Sequence, residues 1–336
     1  MKKWGWIAAA FAAVMLIAVL GGRAYYRDAT SRLPSPAVTK TVVIPTGYTT
    51  QRIAALLEGE GLIADDRAFI WYCRVHRLDG KLEAGRYRLR SDAGVSGIAA
   101  ALAGGKVYYV RFTVPEGYDK TKTAAAVAAA GICTQQEFLK AAAHGDPRGR
   151  VDRKNLEGYL FPDTYELAAD ATAADAVNIM VDRFFTVIGP KEKARAAEMG
   201  RSLDEIVTLA SIVEREAMVK EEKPVIASVF YNRLAKGMRL ESCATVIYAL
   251  GRQPERLTVQ DLKVDSPYNT YTHAGLPPGP ICSPGKEALL AALYPAQTDY
   301  LFFVSKGDGT HTFTTTLGAH LKARADKKKP KKGKTP

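Results

Sequence analysis

Residues 4–22 carry no charge and form one continuous apolar run. A bilayer needs about 20 apolar residues as a helix, so the run predicts a membrane anchor. Lys2 and Lys3 precede it, Trp4 and Trp6 open it, and Tyr25 and Tyr26 follow it, as interfacial aromatics do. Residues 1–3 are then expected on the cytoplasmic side and the body outside, although Arg23 and Arg27 nearly balance the two lysines. A cleaved signal peptide is the competing reading, but Gly22-Arg23-Ala24 is a poor small-x-small cleavage site. Residues 23–40 read as a linker, punctuated by Pro34, Ser35 and Pro36. After it a pattern occurs twice. Val43-Ile44-Pro45-Thr46-Gly47-Tyr48 returns as Thr113-Val114-Pro115-Glu116-Gly117-Tyr118, and each copy runs on into a helical pattern of small residues that stops at Gly61 or Gly131. A second short helix with Phe69 or Phe138 follows, so each copy predicts a strand, a glycine turn and two helices. Glu83–Leu89 alternates as a strand that pairs back on Val42–Ile44. Farther on, Ser202-Leu203-Asp204-Glu205 is a capping box, and Ile206, Val207, Leu209, Ala210, Ile212, Val213 and Ala217 give the helix behind it a wide apolar stripe. Tyr300–Ser305, Gly307-Asp308-Gly309 and His311–Thr315 predict a β-hairpin, with His311 a polar residue at a strand edge. The predicted class is α+β.

Composition narrows the function. The chain of 336 residues is 47% hydrophobic and 24% charged, as in folded proteins. Of the net charge of +12, +7 lies in residues 322–336, and residues 326–336 read as a disordered Lys-rich tail. The smaller excess on the body suits an anionic cell-wall polymer or lipid headgroups; no nucleic-acid motif accompanies it, and no nucleic-acid partner is expected. Four cysteines without a CxxC, and only five histidines, predict neither a metal site nor a cofactor. Cys73, among Trp71, Tyr72 and Val75, reads as core packing. Export would permit disulfides, and a bridge between Cys243 and Cys282 is hypothesised.

The chemistry concentrates at Leu156–Tyr165. Glu157 stands among Leu156, Tyr159, Leu160, Phe161 and Tyr165. A carboxyl with few polar neighbours is costly to ionise, so it holds its proton near neutral pH, as a general acid must. Aromatic rings beside an acid also make a common lining for sugars. Gly158 permits a tight turn or a close ligand approach. The same residues also describe a buried turn with a hydrogen-bonded Glu. Glu214 lies at the edge of the stripe on the Ser202 helix, where it either enters a cleft or flanks it in solvent. The Pro-rich Gly275–Pro280 and the Tyr268–Tyr271 loop can line a saccharide groove or simply connect elements.

Leu156–Tyr165 resembles the signature of the YceG-like family, the endolytic murein transglycosylases of bacteria. Further segments agree in order: Ala210–Glu216, Val229–Leu234, Ser266–Tyr271, Gly275–Ile281, Thr298–Val304 and His311–Thr316. The resemblance implies that Glu157 is the catalytic acid, that residues 107–325 form the catalytic domain, and that a LysM-like, glycan-binding module spans residues 41–106, with residues 107–150 repeating its pattern. Candidate substrate-binding residues on the matching segments are Tyr159, Asp163, Tyr165, Glu214, Asn232, Thr245, Tyr248, Tyr268, Asn269 and Tyr271. In one place the chain departs from a common family form: Cys243-Ala244 stand where an Asp-Pro pair precedes the Thr, so no acid acts there. The implied reaction cuts the bond between N-acetylmuramic acid and N-acetylglucosamine in new glycan strands at the membrane. It leaves 1,6-anhydro ends and limits strand length, with murein synthases as partners. A lysozyme-like hydrolase would leave reducing ends instead, and a non-catalytic murein-binding scaffold would release nothing.

Overall fold

The computed structural model describes residues 2–105, 109–151, 153–169 and 171–328, excepting the side chains of residues 2–13, 18, 327 and 328. The chain divides into two compact units, residues 1–110 with 167–170, and residues 111–166 with 171–336.

The first unit opens with α1 (Lys2–Ser31). Among the described residues no helix is long and apolar enough to cross a membrane. Most side chains of the apolar run lie outside the described residues. The helix continues well into the expected linker, because nothing between Arg23 and Ser31 breaks it before Pro34 forbids continuation. Trp71 packs edge-on against Tyr26, with ring centroids 5.1 Å apart. Next come β1 (Thr39–Ile44), α2 (Thr50–Gly59), α3 (Asp66–Val75), β2 (Gly85–Arg90) and α4 (Gly94–Ala103). β1 and β2 pair antiparallel, from Thr39 opposite Arg90 to Ile44 opposite Gly85. Alternation turns Val42, Ile44, Tyr87 and Leu89 inward onto Ile53, Leu57, Phe69, Cys73, Ile98 and Leu102.

The second unit takes up the chain within β3 (Tyr109–Thr113) and repeats the plan with α5 (Lys120–Ala129), α6 (Gln135–Ala143) and β4 (Thr164–Ala168), which pairs with β3. The two copies share their turn chemistry. Tyr48 N donates to Pro45 O and Tyr118 N to Pro115 O, with Gly47 at φ 82° and Gly117 at φ 77°. A positive φ at the third residue of such a turn demands glycine. Each first helix has a polar cap, Thr49 or Asp119, and each ends with the same closing bond, Leu62 N to Leu57 O and Ile132 N to Val127 O. The copies differ in the link to the closing strand. It is residues 76–84 in the first and 144–163, about twice as long, in the second.

The rest of the unit is helical: α7 (Ala173–Val187), α8 (Pro190–Glu198), α9 (Leu203–Glu216), α10 (Lys223–Ala235), α11 (Cys243–Leu250) and α12 (Lys286–Leu293), then β5 (Phe302–Ser305), β6 (His311–Thr314) and α13 (Leu317–Lys328). The capping box at Ser202 forms as expected. Residues 206–213 of α9 are all buried, and the helix packs against α8, α10, α11 and α12. The hairpin forms with Phe302 opposite Thr314. His311 opens β6, an edge strand of this two-stranded sheet, and is buried, its Nδ1 2.7 Å from Glu222. α13 runs to Lys328, so residues 326–328 of the expected tail are helical; residues 329–336 lie outside the described residues.

Candidate active site

The longer link of the second copy carries Glu157. Leu156, Tyr159, Leu160 and Phe161 around it are buried, so this stretch is anchored as core and not draped as a surface loop. Leu156 N donates to Ala142 O, and Tyr159 N closes a turn on Leu156 O. The turn needs Gly158. Its φ is +88°, and a Cβ there would lie 2.5 Å from Pro280 and 2.9 Å from Val207. The glycine lets the Pro-rich loop close over the base of α9.

Glu157 is 1% exposed. The Lys120 backbone amide, in the first turn of α5, donates to both its carboxyl oxygens, at 3.0 and 3.2 Å. The Tyr248 hydroxyl, from α11, donates to Oε2 at 3.2 Å. Burial pushes the carboxyl up to about 7; the charge of Asp119 adds to this, while the Lys120 amide, the Lys120 charge and the Tyr248 hydroxyl oppose it. Desolvation wins because so little of the group meets water. Tyr248 is raised from its usual range, chiefly by burial and then by Glu157, so it stays a neutral donor. Its ring lies 4.9 Å from that of Tyr268. Glu157 lines a cleft of about 420 Å³ with Asp119, Lys120, Lys122, Arg215 and Tyr248.

A chain of bonds holds the donors in place. Gly117 N donates to Ser283 O and Ser283 N returns to Tyr118 O, so residues 117–118 are pinned to the segment after the Pro-rich loop. That segment is fastened to α9: Ile281 N donates to Ser211 Oγ, and Gly285 N to Glu214 Oε2. Glu214 in turn is paired with the buried Lys223 at 3.0 Å. Glu214 therefore neither faces Glu157 nor sits in solvent; it supports the loop that supports α5.

Of the other expected binding residues, Tyr248 and Tyr268 come to the site and most do not. Tyr159 is buried against Phe184, with its hydroxyl on Asp204. Tyr165 is buried, stacks on Phe112 and donates to Phe161 O. Asp163 pairs with Arg183 at 2.7 Å. Asn232 holds the Thr298 and Tyr300 carbonyls. Thr245 is fully buried, bonded to Ser242 O and Thr270. Asn269 is fully buried and organises its own loop through Leu262 O and Val264 O. Tyr271 touches Cys243 Sγ at 3.2 Å. These are packing, ion-pairing and loop-closing contacts, which aromatic, amide, hydroxyl and carboxylate side chains make as readily as they bind sugars. The hypothesised Cys243–Cys282 bridge is not formed, and all four cysteines are free. Cys282 is buried and donates to Ser211 O, away from the Tyr271 contact of Cys243. Asp119, Lys120, Lys122 and Arg215 line the cleft without having been singled out in the sequence. The signal for the first three is the Gly-Tyr turn of the repeat, which fixes where the second copy's helix begins; Arg215 lies in the matching segment Ala210–Glu216.

The YceG-like family matches residues 42–326. An endolytic murein transglycosylase of Bacillus subtilis (strain 168) is 35% identical over 304 residues, covering 85% of this chain and 84% of that protein. One from Streptococcus pneumoniae serotype 2 (strain D39 / NCTC 7466) is 30% identical over 311 residues; these are 82% of this chain but 56% of that longer protein. A crystal structure of a YceG-like protein from Listeria monocytogenes, 34% identical, superposes with a TM-score of 0.58 and covers 85% of this chain and 99% of that one.

Proposed function

This chain belongs to the YceG-like family, and on that premise we propose that it is an endolytic murein transglycosylase with Glu157 as its catalytic acid and base. The observation that carries the reading is a carboxyl 1% exposed, at the wall of a cleft, with its proton held to about pH 7. Protonated Glu157 gives its proton to the glycosidic oxygen between N-acetylmuramic acid and N-acetylglucosamine. The bond breaks with charge developing at C1. The carboxylate left behind is met by the Lys120 amide and the Tyr248 hydroxyl, both already in hydrogen-bonding range. It then takes the proton of the muramoyl 6-hydroxyl as that oxygen closes on C1. A 1,6-anhydro end forms, Glu157 is reprotonated, and no water is consumed. Glu157 thus needs no second carboxylate, unlike the pair used by ordinary glycosidases.

The apolar run of residues 4–22 acts as the anchor, with the body on the extracytoplasmic side of the cytoplasmic membrane. The strand–helix–helix–strand unit over residues 41–106 acts as a LysM-like glycan holder. Cutting beside the membrane would limit the length of new strands and bring the enzyme alongside the synthases that make them. The support is the charge-free run and the duplicated fold.

The test is digestion of purified murein by wild type and by Glu157→Gln, read by mass spectrometry. Wild type should release fragments with ends one water lighter than reducing ends, and the variant should lose roughly 10²- to 10⁴-fold in rate. Reducing ends, or an unimpaired variant, would reject the mechanism.

A further inference from the structure

Among the described residues, the cations lining the cleft outnumber the acids that could neutralise them. Lys120, Lys122, Arg215 and Arg252 face it, against two acids, Asp119 and Glu157. Of the four, Arg252 is held by Asp261 at 2.7 Å. Among the described residues the other three form no ion pair: Lys120 Nζ rests on the neutral Asn155 Oδ1 at 3.2 Å, and Arg215 makes only long contacts, to Gly117 O at 3.5 Å and Gln253 Oε1 at 3.4 Å. The two acids offset at most one of these charges: Asp119 caps α5, accepting from the Lys122 amide at 2.8 Å, and Glu157 must be protonated to act. Lys122 and Arg215 are both exposed at the mouth, and neither is ion-paired among the described residues. The N-terminus of α5 adds positive potential in the same place.

An uncharged sugar backbone gains little from such a cluster, whereas a carboxylate gains a great deal. We infer that Lys122 and Arg215 bind a carboxylate borne by the glycan strand close to the bond that is cut, so that the enzyme selects strands by their charged substituents. This rests on the murein reading given above. Murein offers that chemistry from two sources: the free carboxylates of the stem peptide, and the lactyl carboxylate uncovered when the stem is removed.

The experiment measures initial cleavage rates on three preparations of uncross-linked strands: with native stems, with stem carboxylates converted to primary amides, and with stems removed by an amidase. Wild type is compared with Lys122→Gln, Arg215→Gln and the double variant, using full-length protein. Each substitution should raise KM for native strands by roughly threefold to tenfold at nearly constant kcat. Amidated strands should be poor substrates for wild type, and the double variant should no longer distinguish amidated from native strands. Stripped strands cut as poorly as amidated ones identify the stem carboxylates as the only source; stripped strands cut as well as native ones show that the uncovered lactyl carboxylate serves in their place.

A wild-type KM that is the same on native, amidated and stripped strands overturns the inference, as does a double variant equally impaired on all three. Strand binding to Glu157→Gln separates this from the proposed function. If no strand is cut but native strands bind more tightly than amidated ones, the enzymatic reading falls and the carboxylate site stands.

Discussion

Replacing Glu157 by Gln should change the protein's stability in a way that depends on pH and crosses sign. The carboxyl titrates at about 7 in the folded chain against an ordinary 4.5. The folded state therefore holds a proton that the unfolded state releases between those values. The stabilisation from the protonated, buried form is full below about pH 4.5 and is lost as pH rises through about 7. At about 1.4 kcal/mol per pH unit, that interval costs wild type roughly 3 kcal/mol at pH 8 relative to pH 4. Gln has the shape of the protonated acid and never charges, so it does not incur this cost. It does lose something. Lys120 N donates toward both oxygens and Tyr248 toward Oε2, so the amide must turn its oxygen to Lys120 and its nitrogen to the tyrosine, at about 1 kcal/mol. The variant should be less stable than wild type by about 1 kcal/mol at pH 4 and more stable by about 2 kcal/mol at pH 8. Urea midpoints of both proteins across that range measure the difference, and every other titrating group cancels between them. Two parallel curves would refute the claim that burial holds the proton on Glu157, and with it the basis of the acid role.

Tyr248→Phe removes a hydrogen bond that favours the ionised acid, so the falling limb of rate against pH should move upward while kcat/KM drops by roughly tenfold; a drop with an unmoved limb would mean that the hydroxyl acts on the substrate and not on Glu157. Gly158→Ala forces a side chain into φ +88° and against Pro280. It should cost on the order of 2–4 kcal/mol in denaturant unfolding, and a loss under about 0.5 kcal/mol would show that the loop can yield. Lys223→Met leaves Glu214 buried and unpaired and should cost about 3–5 kcal/mol, most of which Glu214→Leu in the same chain should restore. Equal stability of single and double variants would discount the pair. Without reductant, the denatured protein should titrate four thiols, with Cys282 reacting only on unfolding and Cys243 in the native state; two missing thiols would restore the discarded bridge.

Local information in the chain was enough for the duplicated elements, the Ser202 helix, the closing hairpin and the buried carboxyl. The Gly-Tyr turns, the helix caps and the apolar alternation act over a few residues, so they are visible wherever they occur. The desolvation of Glu157 was visible too, because its greasy neighbours are adjacent in sequence. What surrounds that carboxyl was not. Its hydrogen-bond donors lie 37 and 91 positions away, and only the folding of the second repeat copy against α9 and α11 brings them there. The same distance explains the misassigned tyrosines and asparagines. A Tyr at Tyr159 and one at Tyr248 look alike in a sequence, but the first is closed off by Phe184 and Asp204 and the second opens onto a cleft. Composition could say that both rings want an apolar face and a partner for the hydroxyl; which partner each one meets is decided by long-range packing.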